Sequence, residues 1–186
     1  MSSYTLTING IDRTTSVQNG TIRISDSIGS SASTLSFQIT NRVNTTPPIP
    51  DQEVIIIQDG VRLFGGRILK VSPVKLGSFL LWNVECVDYT RDLDRTLVVE
   101  AYQGMSDREI IVDIVDNYCG GTGISYDNVT EGITISNMTF NYMPPSECFT
   151  KICNLTGREW YIDYNKDIHY MLKSNEHSPF NIGQET

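Results

Sequence analysis

Over the first 95 residues the chain repeatedly alternates between apolar and polar positions. Tyr4–Ile8, 21–24 and 35–39 change character at every second residue, the period of a strand with one buried face. Asn9-Gly10 and Asp59-Gly60 carry hairpin-turn chemistry, and NTTPPIP (44–50) is a proline-stiffened connector that no central strand tolerates. Glu53–Gln58, 61–71 and a stretch with Leu80, Trp82, Val84 and Cys86 in one phase complete a run of short strands. Regular turns between short strands predict a small barrel or sandwich. Gly65-Gly66 interrupt the most apolar strand, where glycine loses packing and backbone entropy. They predict a bend, with Phe64 directed into the core.

The period changes after residue 95. Ser106-Asp107-Arg108-Glu109 is a capping box, and Ile110, Ile111, Ile114, Val115 and Tyr118 follow at helical spacing before Gly120-Gly121 stops the element. A second helix is expected over 145–155, with Pro145 in its first turn, Phe149, Ile152 and Cys153 on its apolar side, and Gly157 as its stop. A strand at 132–142 separates the two helices. An aromatic hairpin, 159–164 and 168–171 around Asn165-Lys166-Asp167, comes last. The expected fold class is therefore mixed β and α+β: a small β-barrel over 1–95, then an α+β domain over 96–173 with two helices, a strand and a hairpin. Residues 174–186 form a polar tail, and 178–182 read as the start of a further strand.

Composition narrows the function. The net charge is −8 with no run of Lys or Arg, which argues against binding nucleic acid through its phosphates. The N-terminus lacks the basic and apolar regions of a signal peptide, and no apolar run is long enough to span a bilayer. Cys86, Cys119, Cys148 and Cys153 form no CxxC pair and read as free buried thiols.

Candidate chemistry is sparse. Asp88, Asp92 and Asp94 cluster as the acid and base of a glycosidase would, but Arg91 and Arg95 lie among them, and ion pairing around a turn explains the same letters. His169 and His177 have no Ser or Cys at a spacing that suggests a triad. Gly120-Gly121-Thr122-Gly123 follows a helix, where a phosphate loop would open one. Trp160, Tyr161, Tyr164 and Tyr170 could stack on sugars, making a carbohydrate-binding module an alternative, or they could pack a core. No cofactor or metal site is indicated.

Three stretches, in order, resemble one family. They are VIIIQDGVRLFGGRILKV, containing D-G-x-x-x-F-x-G; WNVECVDYTRDLDRTLVVEAYQGMSDREIIVDIV, containing C-x-D-Y-x-x-x-L-D-R; and ISNMTFNYMPPSECFTKICNLTGREWYIDYNKDIHY. Together they resemble the N-terminal part of bacteriophage tail hub (baseplate hub, tail-tip) proteins over nearly all of residues 4 to 182. The resemblance implies a tail-tube-like barrel and a trimeric ring in the virion tail, assembled in the bacterial cytoplasm. The ring would contact the distal tail protein, the tape measure and a tail fibre or spike, and DNA would pass through it without specific binding. It implies no enzymatic activity, cofactor or membrane anchor within these residues. By position, Asp88, Tyr89, Leu93, Asp94 and Arg95 match the family's junction between barrel and second domain, and Gly157, Trp160, Tyr161 and Asp163 match its hairpin pattern Gly-x-x-Trp-x-x-Asp. Hubs of this type usually run longer, so the sequence is expected to be a fragment or a shortened form.

Overall fold

The computed structural model describes residues 4–26, 32–40, 46–76 and 79–172. Residues 27–31, His177 and the expected strand at 178–182 lie outside the described residues.

Seven strands make one antiparallel sheet: β1 (Tyr4–Ile8), β2 (Ile11–Asp12), β3 (Arg23–Ser25), β4 (Thr34–Thr40), β5 (Glu53–Gln58), β6 (Val61–Leu76) and β7 (Phe79–Asp88), in the order β2-β1-β5-β6-β7-β4-β3. Alternation decides its inner face. Leu6, Leu35, Phe37, Val54, Ile56, Phe64, Ile68, Val84 and Cys86 form one buried cluster, while their strand neighbours point outward. Each such aliphatic or aromatic side chain contributes about 1.5–3 kcal/mol by leaving water. Residues 13–18 bridge the space between β1 and β4. Thr14 Oγ1 accepts from the Leu6 amide at 2.9 Å, Val17 forms a bridge with Ile39, and the Gln18 amide donates to the Gln38 carbonyl at 2.8 Å. Among the described residues the ladder ends at β2 and β3, so the strands enclose one core without a closed barrel being detected.

The expected single phase of β7 breaks near its start: Leu81, not Leu80, is buried. Past Glu53↔Arg67, β5 no longer pairs with β6, while β4 stays beside β7 as far as Thr40↔Leu81, so Leu80 lies just past the last flanking strand, where nothing enforces strict alternation.

A short helix α1 (Thr90–Leu93) leads into the second core. The remaining elements are β8 (Val98–Ser106), α2 (Asp107–Tyr118), β9 (Ser125–Val129), β10 (Thr134–Met143), α3 (Pro145–Thr156), β11 (Arg158–Ile162) and β12 (Asp167–Leu172). Both halves of the α2 capping box form. Ser106 Oγ accepts from the Glu109 amide at 3.2 Å, and Glu109 Oε2 accepts from the Ser106 amide at 2.7 Å. Helix α3 ends at Gly157 in the left-handed region (φ +71), whose amide donates to Cys153 O.

In this second half two strands were not anticipated. β8 pairs with β10 as a separate antiparallel ribbon, and it buries Val98, Tyr102 and Ser106, one residue in four instead of one in two. β9 lies parallel to β12, which puts the expected hairpin β11–β12 inside a three-stranded sheet. The two helices and both small sheets surround one core that includes Ile110, Ile114, Phe140, Phe149, Ile152, Trp160 and Tyr170. No helix among the described residues is long and apolar enough to cross a membrane.

Candidate functional site

The junction residues and the two glycines singled out in sequence gather where the two cores meet, while Gly157 ends α3 and Trp160 belongs to the second core. Helix α1 has one turn, and its side chains face both ways. Asp92, 1% exposed, accepts from Arg67 Nε with both carboxylate oxygens (2.6 and 2.8 Å) and from Arg95 at 2.8 Å, tying it to β6. Arg95 also reaches Asp51 at 2.8 Å. Two residues on, Asp94 faces the other half: its oxygens accept from the Ser146 amide at 3.0 Å and the Ser146 hydroxyl at 2.7 Å. Ser146 is in the first turn of α3, which has no side-chain cap of its own, so Asp94 satisfies an orphan donor from 52 residues away. Between these carboxylates, Leu93 is fully buried in the C-terminal core.

Asp88 and Tyr89 precede this turn. Asp88 accepts from the amides of Ser33 at 2.5 Å and Thr90 at 2.9 Å. Burial pushes its carboxyl upward, and the two amide bonds only partly oppose this. Tyr89 has no exposed surface, and its hydroxyl donates to Glu53 at 2.9 Å. Its ionisation is pushed well up by burial and by the Glu53 carboxylate. Lys166, from the β11–β12 turn, pairs with Glu53 at 2.8 Å and lies over the Tyr89 ring at 4.8 Å.

That same turn accounts for Gly65, and the β7 backbone at Val87 and Asp88 accounts for Gly66. β6 stays in register across them, with Ile55↔Gly65 and Val54↔Gly66, and the extra residues sit on either side, at Leu63 and Leu69. Neither glycine has a positive φ. What they supply is room. A Cβ on Gly65 would lie 2.6 Å from the Tyr164 carbonyl oxygen and 2.9 Å from Tyr89 Cε2; one on Gly66 would lie 2.8 Å from Asp88 Cα. Tyr164 comes down on this bare patch. Its ring packs on Phe64 with centroids 5.4 Å apart, its carbonyl accepts from Arg62 at 2.7 Å, and its hydroxyl bonds Asp26. Arg62, Arg67, Glu53 and Ser146 were missed in sequence reading because nothing local marks them, while Lys166 was read only as a turn residue and Tyr164 only as a stacking or core aromatic.

Two of the four hairpin aromatics, Trp160 and Tyr170, pack into the second core, and Tyr161 and Tyr164 are half-buried. Trp160 is 3% exposed, donates from Nε1 to Thr150 Oγ1 at 3.1 Å and meets Phe149 edge to face. Tyr161 stacks on His169 at 4.5 Å. Asp163 organises the turn by accepting from the amides of Asn165 and Asp167 at 2.7 and 2.9 Å. Asp167 accepts from Ser125 Oγ, the amides of Asp127 and Asn128, and Asn128 Nδ2. Burial raises its carboxyl, but these four bonds outweigh that and leave it below the usual carboxylate range. The glycosidase reading finds Asp92 held by two arginines and Asp94 engaged with Ser146, so neither is placed as a free acid or base. The four cysteines are free and buried, and burial pushes each thiol up to about 12.

No protein-family model matches the chain, and no characterised relative matches it by sequence. Its structure does resemble solved ones. The 43 kDa tail protein of prophage MuSo2 from Shewanella oneidensis superposes with a TM-score of 0.74 at 16% identity, over 92% of this chain and 56% of that one. A tail protein from Neisseria meningitidis MC58 gives 0.71 at 12% identity, over 91% and 51%. The E. coli c3393 protein is a type VI secretion component with structural similarity to the T4 tail proteins gp27 and gp5; it gives 0.60 at 12% identity, over 89% and 47%. The fold is thus one shared by phage tail proteins and a type VI secretion component, and the chain spans about half the length of these proteins.

Proposed function

We propose that the chain is a non-enzymatic structural subunit of a phage or prophage tail tip, building a ring-shaped hub that joins the tail tube and tape measure to distal tail components. The observation that carries this reading is the similarity to tail proteins over nine-tenths of the chain, across both cores and the junction between them. In this reading residues 1–95 complete a tail-tube-like barrel, with 13–18 helping to close it, and residues 96–173 form a second domain. Asp88, Tyr89, Leu93, Asp94 and Arg95 lock the two, supported by the ties of Asp92 and Asp94 to opposite sides. A rigid joint suits a part that transmits load along a tail. The hub is a trimer in the virion tail, its partners are the distal tail protein, the tape measure and a fibre or spike, and DNA passes through it unbound.

Light scattering over a range of concentrations, with electron microscopy of the same samples, tests this. Closed three-fold rings are expected. Monomers at every concentration would sink it.

A further inference from the structure

The net charge is unevenly placed. Residues 1–95 hold nine basic and nine acidic residues; residues 96–186 hold five basic and thirteen acidic, so the whole −8 belongs to the second half. Two surfaces depart from this background in complementary ways.

One is the near end of the β8–β10 ribbon. Neither strand pairs with anything else among the described residues. Leu97, Val99 and Tyr142 are 49, 47 and 70% exposed and lie together, since Val99 pairs with Asn141 and the register shift that follows leaves Tyr142 as the extra residue. Tyr142 has φ +52, a left-handed conformation that costs a bulky residue about 1–2 kcal/mol. An exposed tyrosine held in a costly conformation beside two exposed aliphatics is a surface fitted for a contact.

The other is the outer end of β6 and β7, a finger with a free β6 edge that β4 flanks on the β7 side as far as Leu81. From 69 to 81 it carries Lys70 and Lys75 and no acid, with Leu69 and Leu80 exposed. Beyond Ile68, β6 pairs with β7 alone among the described residues. The far end, with Lys75 and Leu80, stands away from the chain's own ribbon. The finger's root is fixed at α1 by the Arg67–Asp92 pair, just before Leu97, and eight residues of strand carry the tip about 26 Å away.

We infer that the finger of one copy of this chain docks on the Leu97–Val99–Tyr142 patch of the next. Exposed leucines meet exposed apolar side chains, and the lysines enter the field of an acidic half. The contact joins two different surfaces, so it repeats around a ring instead of closing as a pair. The inference rests on the ring assembly proposed above.

The test uses two variants of the whole chain. Tyr142→Asn removes the aromatic ring and suits a left-handed position, so it should unfold no earlier than wild type while its self-association weakens at least about tenfold. The double variant Lys70→Glu, Lys75→Glu should weaken it similarly. Mixed in equal amounts, the two retain one intact contact between them, and light scattering should find complexes that stop at two copies. If wild type associates and either variant associates equally well, the docking inference falls and the ring survives. Two weakened variants that do not combine on mixing would also overturn it, because a like-to-like contact behaves that way. A wild type that stays monomeric at all concentrations removes both ideas.

Discussion

Replacing Gly65 by alanine sets two physical effects of opposite sign against each other. Gly65 has an ordinary extended backbone, so if nothing stood nearby the alanine would stabilise the protein by about 0.4–1 kcal/mol, by narrowing the unfolded ensemble. The structure places two obstacles in the way. The new methyl would lie 2.6 Å from the Tyr164 carbonyl oxygen and 2.9 Å from Tyr89 Cε2, about an ångström inside normal contact. The first obstacle is backbone, already bonded to Arg62, and the second is a ring with no exposed surface, so neither yields freely. Overpacking costs about 1–3 kcal/mol, and against two unyielding obstacles it takes the upper part, about 2–3 kcal/mol, so the net expectation is a loss of roughly 1–2.5 kcal/mol. For a chain of this length that is a fall of about 2–10 °C in Tm. Urea unfolding followed by tryptophan fluorescence measures it. Gly120→Ala is the control: it has nothing within 4 Å and no positive φ, and it should lie within about 0.5 kcal/mol of wild type or slightly above. A Gly65→Ala protein as stable as wild type, or more so, would refute close packing as the reason for this glycine.

Asp94→Ala should cost about 1–2 kcal/mol by uncapping α3, and Ser146→Ala should add little on that background, which a double-mutant cycle in urea would read. Trp160→Ala should cost about 3–5 kcal/mol in the same assay, as loss of a buried ring does. Asp167→Asn turns an acceptor of four hydrogen bonds into an amide that must face some of those donors with its own N–H groups, a loss of about 2–3 kcal/mol at neutral pH. The sign with pH follows from the lowered carboxyl: its contribution is complete above the ordinary aspartate value of about 3.9 and disappears as pH falls through the lower folded value. Wild type and variant should therefore converge in stability only in strong acid, and an unchanged gap there would contradict the hydrogen-bond account.

Local chemistry was legible in the residues alone. The capping box at Ser106 and Glu109, the Pro145 start and Gly157 stop of α3, and the Asp59-Gly60 turn all appear where expected, because each depends on atoms within a few residues of one another. β8 escaped because a ribbon packed against helices along only part of its length buries every fourth residue, which leaves no alternation to read. β9 escaped because its partner, β12, lies some forty residues away in sequence. The junction is the clearest case of the difference. Sequence placed Asp88 to Arg95 between two domains by resemblance. Only the tertiary structure decided that Asp92 serves β6 while Asp94 caps α3, and that Gly65 is bare because Tyr164, 99 residues away, must rest on it. Propensity and capping are local energies, written in neighbouring letters. Close approach between distant segments is a property of the folded chain, and it leaves in the sequence only a missing side chain.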